Sequence, residues 1–256
     1  MSRAVTFQKK DHTGIITLNR SDRENAITSE TVMAFSEIKD MIGYGSDIVA
    51  LIITGDGQES FSAGTEGQDY SSYENREELL TRLQIASIVG AFKQPVIAAI
   101  NGDALDQGLE LALACDIRIA SSSARFAISH VSKGVIPWDG GTQRLSRLVG
   151  RGKTLEMILL GEAIDANEAL RIGLVSQVVP GDELIPAALN LAQTLTEKGP
   201  IALRYAKEAI YKGMDMTLEQ GLRLEADLYF LLHTTEDRTE GITAFREKRP
   251  PKFKGR

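Results

Sequence analysis

One carboxylate in this chain stands where the backbone around it can put it to use. Glu110 lies in Gly108 to Ala114 (GLELALA), a run of helix formers without proline that predicts a short helix. It falls in the first turn, where the helix dipole favours negative charge. Backbone N–H groups at such a helix start have no acceptor within the helix. Just upstream, the apolar, branched run Val96 to Ile100 ends at Asn101-Gly102, the pattern of a buried strand stopped by a turn. A strand, a turn, free backbone donors and one carboxylate suit a reaction in which a carbonyl is polarised and a proton is moved.

The elements needed to hold that arrangement are spread along 256 residues. Thr13 to Asn19 predicts a strand. Thr28 opens a helix to Ile42, with Val32, Phe35 and Ile38 on one face. Ile48 to Thr54 is apolar on both faces, as in a covered parallel strand. Phe61 to Thr65 is a turn of small residues, and Tyr73 to Phe92 predicts one polar, then amphipathic, helix. Cys115 to Ala120, Arg125 to Ile128 and Leu174 to Val179 predict strands; Lys153 to Leu160 and Ala166 to Arg171 predict helices. After Pro180 the strand signal fades, and Asp182 to Gly213, Thr217 to Leu232 and Thr235 to Lys248 predict helices. Strand–helix alternation followed by helices predicts an α/β core over 1–195 and a helical region over 196–256.

Composition narrows the class. The chain is 43% hydrophobic and 25% charged with net charge −6, which suits a globular enzyme and argues against a nucleic-acid surface. Cys115 is the single cysteine, so no disulfide framework or cysteine metal site is possible within one chain, and a reducing, cytoplasmic setting is expected. Met1 to Lys10 lacks the apolar core of a signal peptide, and no run approaches a membrane span. No metal is implied.

Several short motifs occur in order. They are Leu18-Asn19-Arg20 with Asn25-Ala26; Phe61-Ser62-Ala63-Gly64; Pro95 to Gly102 (PVIAAING); Glu110 to Asp116 (ELALACD); and Gly140 to Leu145 (GGTQRL). Ala169 with Gly173-Leu174-Val175, and a tail from Thr235 through Phe245 to Arg249, complete the set. Together they resemble the crotonase superfamily, the enoyl-CoA hydratase/isomerase family, from end to end. The resemblance implies a spiral of ββα units, a C-terminal helical trimerisation region, and self-association as trimers or pairs of trimers. It implies an acyl-CoA thioester as substrate, with CoA a handle rather than a cofactor. It implies that backbone N–H groups of Thr65 and Gln107 hold the thioester oxygen, and that Arg23, Asn25, Ala26, Ala63, Gly64, Trp138, Phe245 and Lys248 contact the substrate, the last two from a neighbouring subunit.

This chain departs from the family's pattern at three places. Asp106-Gln107-Gly108 replaces a triple glycine; Asp106 adds negative charge, and Gln107 serves as a donor where its side chain points away. His130 stands twenty residues after Glu110, where the family's hydratases carry a second glutamate. Trp138-Asp139 brings an aromatic ring and a carboxylate to a loop of small residues. Histidine titrates near neutrality and can replace a glutamate in proton transfer. The expected activity is therefore hydration of an α,β-unsaturated acyl-CoA, or its reverse, with Glu110 acting on water and His130 moving the second proton. The alternatives are isomerisation or thioester hydrolysis through Asp139, dehalogenation, and a CoA-binding protein without catalysis. Each residue also has a plainer reading: His130 as a packing residue, Asp139 as the cap of the turn at Gly140-Gly141, Trp138 as pocket lining, Cys115 as a small hydrophobe.

Overall fold

A computed structural model describes residues 4–43, 46–66 and 73–256; residues 1–3 of the Met1–Lys10 segment lie outside it. The larger sheet holds β1 (Val5–Lys10), β2 (Thr13–Leu18), β3 (Ala50–Gly55), β5 (Val96–Ile100), β7 (Ile117–Ser121) and β10 (Gln177–Val179), in that order across the sheet. β1 pairs antiparallel with β2 and every other pairing is parallel. A second sheet of short strands stacks β4 (Ser60–Ser62), β6 (Asp103–Leu105), β8 (Arg125–Ala127) and β9 (Ile164–Asp165).

The two faces of the larger sheet follow from alternation along its strands. Ile16, Leu51, Ile53, Ala98 and Ile100 point to the face covered by α1 (Ser29–Met41), α3 (Ile85–Gly90) and α4 (Gln107–Leu113), with α2 (Arg76–Leu83) packed on α1. Ala50, Ile52, Ile97, Ala99 and Ile119 point to the other face. The remaining helices are α5 (Gly141–Val149), α6 (Arg151–Leu160), α7 (Ala166–Arg171), α8 (Leu184–Thr196), α9 (Pro200–Gly213), α10 (Leu218–Leu232) and α11 (Glu236–Glu247). α8 covers that second face with Leu184, Ala188 and Ala192. Both β3 and β5 are buried at every position, which is why they read as unbroken apolar runs.

Several elements differ from the sequence-based expectation: β4, β6, β9 and α5 were not predicted, and there are three further differences. The single helix over Tyr73 to Phe92 is two helices, α2 and α3, broken at Gln84 (φ −77°, ψ 79°). The helix over Asp182 to Gly213 divides into α8 and α9, with Pro200 at the first turn of α9, where its missing N–H costs nothing. Val5–Lys10, read as no element, is the edge strand β1, and five of its six residues are at least partly exposed. Thr28 caps α1 as expected, in a capping box with Thr31. α9 buries no residue and α10 buries only Leu228. The two pack against each other and leave Leu218, Tyr229 and Phe230 largely exposed.

Candidate active site

The strand-to-helix step at β6–α4 builds the site. Asp106, between them, takes φ 50° and ψ −120°, a conformation that a side chain enters only at a cost on the order of 1–3 kcal/mol. Gln107 begins α4, so its N–H has no acceptor inside the helix. From the opposite side comes the turn after β4. Gly64 has φ 90°, and a Cβ there would lie 3.1 Å from the Gln107 nitrogen and from the Leu105 carbonyl oxygen. Only glycine allows this approach. Gly108 is tighter still: a Cβ would meet the Ser62 carbonyl oxygen at 2.2 Å. The two small-residue positions bring Thr65 beside Gln107, and the Thr65 hydroxyl donates to Gln107 Oε1. The two expected oxyanion donors thus belong to residues in direct contact.

The Gln107 side chain is fully buried and pinned. Its Nε2 donates to the Leu83 carbonyl at 2.5 Å and to Asp139 Oδ2 at 3.0 Å. The break at Gln84 supplies both ends of this arrangement. It leaves the Leu83 carbonyl to Gln107, and the Ala86 N–H, at the start of α3, donates to Asp139 Oδ2 at 2.9 Å. Asp139 therefore does not cap Gly140-Gly141 with its side chain; it caps α3. Burial raises its pKa above the ordinary carboxylate value against the pull of those donors, and its Oδ1 has no partner among the described residues.

Glu110 is fully buried. Its Oε1 accepts from the backbone N–H of Asp139 at 3.0 Å and of Gly141 at 2.7 Å, so the carboxylate cannot turn. Its Oε2 has no partner among the described residues. Burial pushes the Glu110 pKa up to about 7; the Asp139 charge adds to this, and the Gly141 and Asp139 N–H groups oppose it. Across the site, His130 is 1% exposed, and its Nε2 lies 4.0 Å from Glu110 Oε2. A water at ordinary hydrogen-bond distance from both atoms, about 2.8 Å, would see them at an angle of about 90°. Burial lowers the His130 pKa; the Asp106 charge raises it and the Lys133 charge lowers it further.

The resting charge of Glu110 has a cost that can be measured. A carboxyl whose folded pKa stands above its unfolded value stabilises the fold below the unfolded value, and that contribution is lost as pH rises through the folded one. From 4.5 to about 7, the loss is roughly 3 kcal/mol at most. Glu110→Gln should therefore melt with a flatter pH dependence than the parent between about pH 5 and about pH 8. Parallel melting curves for the two proteins would sink this account of the buried carboxylate.

The other expected site residues divide into two groups. The 23–27 and 63–66 segments are stitched together by Ala63 N–H to Glu24 O (2.9 Å), Ile27 N–H to Gly64 O (2.8 Å) and Glu66 N–H to Ile27 O (3.0 Å). This places Arg23, Ala26, Ala63 and Gly64 beside Thr65. Asn25 is 1% exposed; its Nδ2 donates to Asp56 O and Ser60 O, and its Oδ1 accepts from Arg20 N–H, so its amide holds the loop. Trp138 and Asp139 line a cavity of about 1030 Å³ with Gln84, Ser87 and Arg144. Phe245, 85% exposed, and Lys248, the left-handed cap of α11, are bonded into none of these contacts within the single chain. Cys115 is buried and burial pushes its thiol up to about 12, the state of an inert packed residue.

Sequence reasoning missed the partners of these groups. Leu83 and Ala86 lie on helices that read as one. Ser129 and Lys133 have no motif, yet both bind Asp106: Ser129 N–H at 2.6 Å, Ser129 Oγ at 3.0 Å and Lys133 Nζ at 2.7 Å. Their signal was Asp106 itself, a charged residue before a helix start, with a lysine on the turn that carries His130.

Comparison with known proteins identifies the family. The family model described as enoyl-CoA hydratase/isomerase matches residues 8–256. Crotonyl-CoA hydratase of Syntrophomonas wolfei is 39% identical over 255 residues, covering 97% of each chain. The 2,3-dehydroadipyl-CoA hydratase of Escherichia coli is 40% identical over 243 residues, covering 94% of this chain and 95% of that one. A crystal structure of enoyl-CoA hydratase from Bacillus anthracis superposes with a TM-score of 0.94 at 38% identity, covering 99% of this chain and 100% of that one. With a family match over nearly its whole length and relatives at about 40% identity, the chain belongs to the enoyl-CoA hydratase/isomerase family.

Proposed function

We infer that this chain is an acyl-CoA lyase of the enoyl-CoA hydratase type, adding water to an α,β-unsaturated acyl-CoA or removing it from a 3-hydroxyacyl-CoA. The relatives' names support the reaction class. The observation that carries the site assignment is the pair of buried atoms Glu110 Oε2 and His130 Nε2, 4.0 Å apart, with Glu110 on the helix that Gln107 begins and His130 on a separate turn facing it. In the hydration direction the water oxygen bonds to the β-carbon. The π electrons shift toward the thioester, and the resulting enolate oxygen rests on the Thr65 and Gln107 N–H groups. Fixed donors in a dry site favour that charge strongly, by about 10²–10³ in rate for one donor in a well-studied case. Glu110 takes the proton from water and His130 gives one to the α-carbon. One proton held between the two is the working state.

CoA is the handle of the substrate, and this reading needs no separate cofactor. Among the described residues no cluster of metal-ligating side chains and no membrane-crossing helix occurs. The exposed apolar side chains of α9 and α10 support self-association as a trimer or hexamer, in which a neighbour's Phe245 and Lys248 reach the CoA. Residues 1–195 form the catalytic core and 196–256 the assembly region, in the cytoplasm.

A second reading has its own observation: Asp139 Oδ1 is buried and has no partner among the described residues, and Asp139 lines the cavity beside Trp138. It would make Asp139 the proton carrier of an isomerase or hydrolase. Incubation with short trans-2-enoyl-CoA thioesters separates the readings by product. A 3-hydroxyacyl-CoA supports hydration; a shifted double bond or free CoA supports Asp139. A raised melting temperature with acyl-CoA and no product of any kind would leave a binding protein.

A further inference from the structure

We propose that Asp106 is a positioning residue, which holds His130 with its Nδ1 proton toward Asp106 and its Nε2 toward Glu110. The inference rests on the assignment of His130 to the site. Its first support is the backbone. Asp106 occupies a positive φ that suits glycine, so its side chain is retained there against local preference. That side chain is 95% buried, and it is held on three sides, by the Ser129 N–H, the Ser129 hydroxyl and the Lys133 ammonium. An acceptor so anchored cannot swing away from the ring beside it.

The second support is alignment. His130 Nδ1 lies 3.4 Å from Asp106 Oδ1, and its Nε2 lies 4.0 Å from Glu110 Oε2. The Asp106 contact is at ion-pair distance and is not a hydrogen bond, and Nδ1 has no other partner among the described residues. A proton on Nδ1 therefore has one anion to face, and a small tilt of the ring completes the bond. The hydrogen bond made by one ring nitrogen decides which tautomer the imidazole adopts. With the proton on Nδ1, the Nε2 lone pair faces the water site, and protonation there gives an imidazolium already matched to a fixed anion. Ser129 and His130 are consecutive, so the contact that anchors Asp106 also sets the start of the turn that carries the ring. Three features that look separate, a charged residue at a positive φ, a lysine on the next turn and a buried histidine, are one device.

The groups facing His130 are Asp106, Lys133 and Glu110. Two variants separate positioning from plain packing. Asp106→Gly removes the carboxylate at a φ that glycine adopts freely; Asp106→Asn keeps the shape and removes the charge. Nitrogen NMR of histidine-labelled protein reads the tautomer directly, since the chain has three histidines and His130→Ala identifies the signal. The parent should show an Nδ1-protonated ring, and Asp106→Gly should move it toward the Nε2-protonated form. Loss of groups that orient an imidazole commonly costs about 10–100-fold, so Asp106→Gly should lower kcat by about 10-fold or more, with KM changed less than about 2-fold. In Asp106→Asn the low-pH limb of the rate should move to lower pH, because the anion favouring the imidazolium is gone. If Asp106→Gly fails to fold, the limb of Asp106→Asn decides the matter. An unchanged tautomer in Asp106→Gly, or an unmoved limb in Asp106→Asn, overturns the proposal. Absence of any enoyl-CoA turnover in the parent would instead count against the hydratase reading, while the tautomer would still test Asp106.

Discussion

Glu110→Gln should lower enoyl-CoA turnover by about 10²-fold or more while leaving KM nearly unchanged. Glutamine keeps the length and plane of the side chain. Its carbonyl oxygen can still accept from the Asp139 and Gly141 N–H groups that hold Oε1. The loop that carries Trp138 and Asp139 therefore stays in place, and so do Thr65 and Gln107, the proposed oxyanion donors. What disappears is the proton traffic at Oε2, where an amide can neither take a proton from water nor return it. A loss confined to kcat identifies a group acting in the transition state. Should Glu110→Gln turn over at the parent rate while Asp139→Asn does not, the chemistry belongs to Asp139, and the isomerase or hydrolase reading takes over.

His130→Ala should cost about 10²-fold in kcat as well, and it should change the shape of the pH profile. In the proposed mechanism the pair works with one proton between its members. At low pH both are protonated and water has no base. At high pH both are bare and the α-carbon has no acid. The high-pH limb of the parent, where the pair loses its last proton, should fall at about 7, the value to which burial lifts Glu110. The low-pH limb should lie below the ordinary histidine value of 6.5, because burial lowers His130. The profile is then a narrow bell whose two apparent values belong to the coupled pair. In His130→Ala the limb on the acid side should no longer be the histidine's, leaving one titration from Glu110. Full turnover with an unchanged bell would make His130 a packing residue and leave Glu110 with the oxyanion donors alone.

The parts of this architecture legible in the chain are those written in local pattern. β3 and β5 are buried at every position because both faces are covered, and Thr28 announces α1 by its capping hydroxyl. The place of Glu110 in the first turn of α4 follows from the run of helix formers around it. β1 was missed because an edge strand carries exposed polar residues and no apolar run. The division of α2 from α3 was missed because neither glycine nor proline marks it. That break is made by distant partners: Asp139, 53 residues from Ala86, and Gln107, 24 residues from Leu83. The same holds for the site. The Lys133–Asp106 pair spans 27 residues and the Thr65–Gln107 contact spans 42, and no window of sequence contains either.

The position of Trp138 gives the molecule its own optical probe. It is the only tryptophan in the chain, half-buried on the cavity wall, next to the residue whose backbone holds Glu110 and whose side chain holds α3. Indole emission shifts in colour and yield with the polarity around the ring. Intrinsic fluorescence excited at tryptophan therefore reports from one loop, without any label, and that loop closes only when α3, α4 and the segment before α5 have met. During refolding the signal should recover with catalytic competence rather than with early helix formation, since those contacts are non-local and form late.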